Sequence, residues 1–303
     1  MDPILDNPRR AVFSLLRRRA RQAYRLGEFA ESLALYDRAW EWARRHGGPD
    51  DLDRALCGRA SVAIELGNGD GLVSSLREVL MRSANDENCF LAANNLGRAY
   101  ELKRLPKKAA FYARMAYDRA LLVGSREWLA SALNLLGNAC LAESRTDEAK
   151  QQYTAALELI PRTMETWRAL IEQNLGYAHV VDSNLTAGFG LLYRSLRALR
   201  RLGALRYTAS VHVDLAFGHL EAGRPRLALR HARVAISRAE QDGDRELLKN
   251  ALYLLGEAAN LSNSSHEARQ SFSRLQLEFF PNSGHLPDFL LAVGVRGMVS
   301  LRA

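Results

Sequence analysis

The chain has 303 residues, of which 48% are hydrophobic and 25% charged, and its formal net charge is +8. This composition is typical of a folded protein with a packed core and excludes a largely disordered chain. The first residues do not show the basic segment followed by an apolar stretch that is typical of a secretory signal peptide. No apolar run approaches the roughly 20 residues that span a bilayer. We therefore expect a soluble, cytoplasmic protein without membrane association.

We expect the first ten residues to be flexible, and a repeat begins after them. A small residue, in most copies preceded by leucine, recurs about every 40 residues. The seven positions are Ala20, Ala60, Gly97, Gly137, Gly176, Ala216 and Gly256. Self-similarity at a fixed period of this size predicts an array of stacked supersecondary units.

The fullest copy runs from residue 130 to residue 161 and predicts one antiparallel helix hairpin. Leu133, Gly137 and Cys140 share one face of a first helix, whereas Ala149 and Tyr153 share a face of a second. A glycine where two helices cross allows close approach, and an aromatic ring from the second helix fills the adjoining space. The proline that closes the copy ends the second helix.

This order of a small residue in the first helix, followed by Gly, Ala, aromatic, Ala and Pro, resembles the tetratricopeptide repeat (TPR). The resemblance covers nearly the whole chain, and the 40-residue spacing is similar to that of the long repeats of kinesin light chain. It implies an all-α, right-handed α-solenoid of about seven hairpins over residues 11–284 and a capping helix over residues 285–303. The copies around Ala60 and Gly176 depart from the pattern, and we expect a bend near Asp182 to Gly190.

Motif searches give no support for catalysis, because P-loop, GxSxG, HExxH and GxGxxG sequences are all missing. Cys57, Cys89 and Cys140 lie far apart without CxxC spacing, which predicts buried apolar residues rather than disulfides or a zinc site. His179 and His219 occupy positions that are aromatic in other copies, and packing is favoured over metal binding. We therefore predict no enzyme activity, no catalytic residues, no metal and no cofactor.

The resemblance implies that first helices line an inner, concave wall with the side chains three residues before and one residue after the small residue. Amides recur there on successive helices, and a carboxamide both donates to and accepts from a peptide backbone. Aromatic side chains follow further along and suit an apolar anchor. The candidate peptide-binding residues are Asn94, Arg98, Asn134, Asn138, Gln173, Tyr177, Phe217 and Tyr253.

A basic patch is the second candidate surface. Its arginines recur at helical spacing and suit phosphates or acidic proteins, namely Arg17, Arg21, Arg194, Arg197 and Arg201. The preferred hypothesis is a scaffold or adaptor that binds an extended peptide or a partner helix, with a peptide sensor of a regulatory system as a variant. Binding of RNA through the arginines is the alternative, and the partner's identity and the oligomeric state stay open.

Overall fold

The computed structural model describes residues 8–293. Fifteen α-helices and no strand occur within that range, which confirms the all-α prediction. Their bounds are α1 Pro8–Leu26, α2 Phe29–His46, α3 Pro49–Glu65, α4 Val73–Arg82, α5 Asp86–Leu102, α6 Pro106–Val123, α7 Arg126–Ala142, α8 Thr146–Leu159, α9 Glu165–Val181, α10 Leu185–Arg201, α11 Thr208–Glu221, α12 Pro225–Asp242, α13 Arg245–Leu261, α14 Ser265–Phe279 and α15 Leu286–Ala292.

Two compact units divide these helices: unit 1 is Met1–Pro161 with α1 to α8, and unit 2 is Arg162–Ala303 with α9 to α15. In both, consecutive helices form antiparallel hairpins. The first helices of neighbouring hairpins pack side by side, as α3, α5 and α7 do in unit 1 and α9, α11 and α13 in unit 2. Each unit therefore has an inner layer of first helices and an outer layer of second helices.

The turn inside every hairpin places a residue with a left-handed backbone seven positions after the small residue of the first helix. These residues are Gly27, Gly67, Arg104, Ser144, Ser183, Gly223 and Asn263, with φ between 56° and 80°. The next residue donates its amide back into the first helix, as Arg145 N does to Cys140 O at 2.9 Å. This is the Schellman arrangement, which ends a helix by satisfying its last carbonyls.

The predicted packing of small residues against aromatic rings is confirmed in two hairpins. A Cβ at Gly137 would lie 2.5 Å from the ring of Tyr153, and one at Gly256 would lie 2.3 Å from that of Phe272. Both rings are fully buried. Because only a hydrogen fits at these crossings, glycine sets how closely the two helices approach.

The two hairpins expected to be irregular differ from each other. The turn at Ser183 has the same left-handed backbone as the other six, and Gly188 lies against the backbone of Gly176 and lets α9 and α10 pack closely. The bend near Asp182 to Gly190 stays a prediction. The unit around Ala60 is irregular as expected, since α4 has only 10 residues and packs mainly against α5.

The ends of the chain correspond only in part to the expected boundaries. Helix α1 begins at Pro8, inside the segment expected to be flexible, and residues 1–7 lie outside the described range. The seven-residue helix α15 lies in the segment 285–303, where a capping helix is expected, and residues 294–303 lie outside the described range. All three cysteines are buried and unpaired, as predicted. None of the described helices has the combination of length and apolarity that a bilayer crossing requires.

Candidate functional site

In unit 1 the inner face is lined by α1, α3, α5 and α7, and most of its charged groups are already paired. Arg98 forms an ion pair with Glu65, which also accepts a hydrogen bond from Tyr24 Oη at 2.9 Å. Arg54 pairs with Glu87 in the same way. These contacts connect residues about one repeat apart, so charge pairing ties neighbouring first helices together.

Asn138, predicted to contact a peptide, has both ends of its carboxamide engaged. Its Nδ2 donates to Glu101 Oε1 at 2.7 Å, and its Oδ1 accepts from Tyr153 Oη at 2.8 Å. A buried Tyr hydroxyl needs such a partner. Asn138 therefore connects three helices, and hydrogen bonding of its side chain to a bound peptide would require these contacts to break.

Asn94 and Asn134 are partly exposed on this face, as is Asn138. Asn94 and Asn134 occupy equivalent positions on α5 and α7. Ser131 Oγ donates to Asn94 Oδ1 at 3.2 Å. Contact of this pair with a peptide backbone stays a prediction.

The predicted residues of unit 2 are mostly interior, which corrects the expectation of an open groove wall there. Gln173, Tyr177 and Tyr253 are 3%, 3% and 7% exposed. Gln173 Nε2 donates to Asp214 Oδ2 at 2.7 Å. Phe217 alone is partly exposed, and its ring lies 5.8 Å from that of Tyr177.

The arginines of the predicted basic patch are not all free cations. Arg194 pairs with Glu172 at 3.5 Å, and Arg201 pairs with Glu165. Arg197 and Arg21 are exposed, whereas Arg17 is partly buried beside a cavity. The stripe on α10 is thus largely neutralised by carboxylates of α9.

Unit 2 contains a polar cluster that sequence analysis assembled only in part. His212 and His219 of α11 meet His231 of α12 and Tyr193 of α10, with His212 Nδ1 2.8 Å from His231 Nδ1. Tyr193 Oη lies 2.9 Å from His219 Nε2 and 3.3 Å from His231 Nε2. His219 is buried, as the packing prediction required, while His179 is partly exposed.

The donors and acceptors of this cluster run in one direction. Arg200 Nη2 lies 3.1 Å from His212 Nε2 and can only donate, so His212 carries its proton on Nδ1 and donates to His231. His231 then donates from Nε2 to Tyr193 Oη, which also lies within hydrogen-bond distance of His219 Nε2. His212 and His231 each accept at one ring nitrogen and are therefore neutral.

Burial is the main cause of low histidine pKa values in this cluster. It lowers the pKa of His212 to about 3, helped by His231 and Arg200. Burial likewise lowers the pKa of His219 and of His231 to about 4. Across the residues that the structure describes, no group of three or more histidines, cysteines or carboxylates is arranged to hold a metal ion.

Comparison with known proteins assigns the fold. No family model and no curated protein matches the sequence. Among solved structures, a Rap protein in complex with Competence and Sporulation Factor is similar with a TM-score of 0.74 and 13% identity over 94% of this chain and 80% of that one. Cut9, from the APC/C hetero-tetramer Cut9-Hcn1, gives 0.70 and 15% over 92% of this chain and 48% of Cut9.

The type IV pilus biogenesis factor PilW gives a TM-score of 0.57 and 20% identity over 79% of this chain and 98% of its own. The fold is a tetratricopeptide-repeat solenoid. The chain spans about half the length of Cut9. At these identities the likeness concerns the fold, and the kinesin light chain type of repeat stays a prediction.

Functional residues that sequence reasoning missed in this TPR fold are mostly partners of predicted ones. Arg54, Glu65 and Glu101 lie on inner helices but outside the two offsets used to define the wall. The sequence feature that identifies them is spacing, because each lies 33 to 37 residues, about one repeat, from the side chain that it contacts.

Proposed function

We propose that this protein is a non-catalytic scaffold that binds a protein partner as an extended peptide along the inner face of unit 1. One observation carries the proposal: Asn94 and Asn134 are partly exposed at equivalent positions of α5 and α7, on a face whose acidic side chains Glu65, Glu87 and Glu101 are already engaged. Amides spaced along such a wall can pair with a peptide backbone irrespective of its side chains.

Other proteins with this fold support the proposal by analogy. The Rap protein was solved in complex with Competence and Sporulation Factor, and Cut9 was solved together with Hcn1. Helical-repeat solenoids offer long surfaces of stacked helices to their partners. Analogy of fold raises the expectation of binding and leaves the partner to be found by experiment.

Binding of RNA remains the alternative hypothesis, but the charge distribution does not favour it. Two of the four arginines on α10 have carboxylate partners, so few cations are left there to replace the counterions of a phosphate backbone. A fall in RNA affinity with rising salt would be the sign of that activity.

Peptide selection tests the scaffold function. Random dodecapeptides displayed on phage would be selected on the immobilised full chain, and the enriched peptides synthesised with a fluorophore for polarisation measurements. Asn94→Ala combined with Asn134→Ala removes two amide contacts, and at about 1 kcal/mol each we expect roughly tenfold to thirtyfold weaker binding.

The matched control is Gln151→Ala with Gln270→Ala, which removes two exposed amides from the second helices α8 and α14. It should bind as the unmodified protein does. If no peptide is enriched, or if the Asn94/Asn134 variant binds within twofold of the unmodified chain, the proposal is wrong.

A further inference from the structure

A cavity of about 550 Å³ opens at one end of the inner face of unit 1. It is lined by Arg17 of α1, Arg54 of α3, the loop and first turn of α3 from Gly48 to Asp51, and Asn85, the residue that caps α5. The volume is within the range of pockets that hold small ligands or side chains of a partner. Two guanidinium groups from different helices therefore meet in one solvent-accessible space.

Arg54 already has hydrogen-bond partners in this cavity. Only 13% of its side chain is exposed, and it donates to Glu87, to Asn88 and to Asn85 Oδ1. Its charge is thus matched by a carboxylate, and its donors by three acceptors. Arg54 would stabilise an incoming anion at long range without giving up its own partners.

Arg17 is different, because no hydrogen-bond acceptor or carboxylate meets it among the described residues. Its guanidinium lies over the ring of Phe13, 5.3 Å from the centroid. Burial, followed by the charges of Arg54 and Arg21, lowers the pKa of Arg17 to about 10. A cation held in partly buried surroundings next to another cation is unfavourable for the free protein, and such groups concentrate at binding sites.

We propose that Arg17 is the anchoring contact for an acidic side chain, aspartate or glutamate, of the peptide bound on the inner face of unit 1. This inference rests on the proposed function and adds the chemistry of the partner to it. A carboxylate fits the planar guanidinium with two parallel hydrogen bonds. It would also compensate the repulsion between Arg17 and Arg54.

The remaining walls of the cavity select a carboxylate over a phosphate. Asp50 Oδ2 accepts from Asn85 Nδ2 at 3.3 Å, and Asp51 Oδ2 accepts from the Gly48 amide at 3.4 Å. Both carboxylates stay on the cavity lining. Their charge opposes a dianion more strongly than a single carboxylate, so an acidic peptide is favoured over a phosphorylated or nucleic-acid ligand.

The test uses the peptides selected for the function and the substitution Arg17→Gln. We expect the enriched peptides to share an acidic residue at one position, and replacing it by its amide to weaken binding to the unmodified protein at least tenfold. In Arg17→Gln the acidic and amide peptides should bind equally, because the group that distinguishes them is gone. Arg18→Gln, which changes the exposed neighbour on α1, should keep the preference.

A stability measurement separates a binding effect from misfolding. Because Arg17 is unpaired and repelled by Arg54, Arg17→Gln should unfold at the same or a higher urea concentration than the unmodified protein. Enriched peptides without a shared acidic residue, or an acidic preference that survives in Arg17→Gln, would overturn this inference while leaving the scaffold function intact. Failure to enrich any peptide would overturn both.

Discussion

Lowering the pH from 7 to 5 should destabilise unit 2 through the cluster of His212, His219 and His231. These rings are neutral in the folded protein, with pKa values of about 3, 4 and 4, against an ordinary value of 6.5. Between pH 6.5 and about pH 4 the unfolded chain binds more protons at these histidines than the folded protein does. Stability is therefore present at pH 7 and is lost progressively as the pH falls through 6.5 toward 4.

The magnitude follows from the pKa differences. For a histidine with a pKa of 6.5 when unfolded and about 4 when folded, the free energy of unfolding falls by about 2 kcal/mol between pH 7 and pH 5. Three such groups give a loss of about 6 kcal/mol, which is comparable with the total stability of many domains. Protonation of His231 would also direct its Nδ1 proton at that of His212, 2.8 Å away.

Urea unfolding followed by circular dichroism at 222 nm, at pH 7, 6 and 5 and constant ionic strength, measures this loss. His219→Phe keeps the ring packed on Phe189, 4.6 Å away, and removes one titrating group, so the loss should shrink to about 4 kcal/mol. His266→Gln, at an exposed position of α14, should behave like the unmodified chain. A total loss below about 2 kcal/mol, or an unchanged loss in His219→Phe, would refute the reasoning.

Two further predictions concern unit 1 and the hairpin crossings. Gly137→Ala should lower the free energy of unfolding by about 1–2 kcal/mol in urea titrations, because its Cβ would lie 2.5 Å from the ring of Tyr153. Gly190→Ala, whose Cβ would have no atom within 4 Å, should raise the free energy of unfolding by about 0.5–1 kcal/mol. Equal effects of the two substitutions would contradict the packing argument. Asn138→Ala should cost about 2 kcal/mol by removing its hydrogen bonds with Tyr153 Oη and Glu101 Oε1, while Asn94→Ala should cost less than about 1 kcal/mol in the same assay.

Much of the fold could be predicted from the sequence because each hairpin carries its own local signal. Gly137 and Tyr153 lie 16 residues apart, within one hairpin, and helical periodicity places them on facing surfaces. The prediction holds because it requires only the contact between two helices joined by a short turn. The same reasoning correctly placed the three cysteines in the core.

The candidate site was harder to predict because its contacts connect different hairpins. Gln173 and Tyr177 have the offsets of groove residues, yet side chains of the next inner helix, such as Asp214, cover Gln173. The histidine cluster needs Tyr193 and His231, which belong to second helices of different hairpins and lie 38 residues apart. Periodicity defines the face of a helix, but not which long polar side chain reaches across to it.

Every hairpin turn uses one backbone conformation, but only three of the seven place glycine in it. Arg104, Ser144 and Ser183 hold positive φ angles that cost an L-residue about 1 kcal/mol each. Glycine at these turns should therefore make the chain more resistant to heat without altering Asn94, Asn134 or Arg17. Substitutions at these turns could therefore raise the stability of the protein without changing the residues proposed to bind the partner.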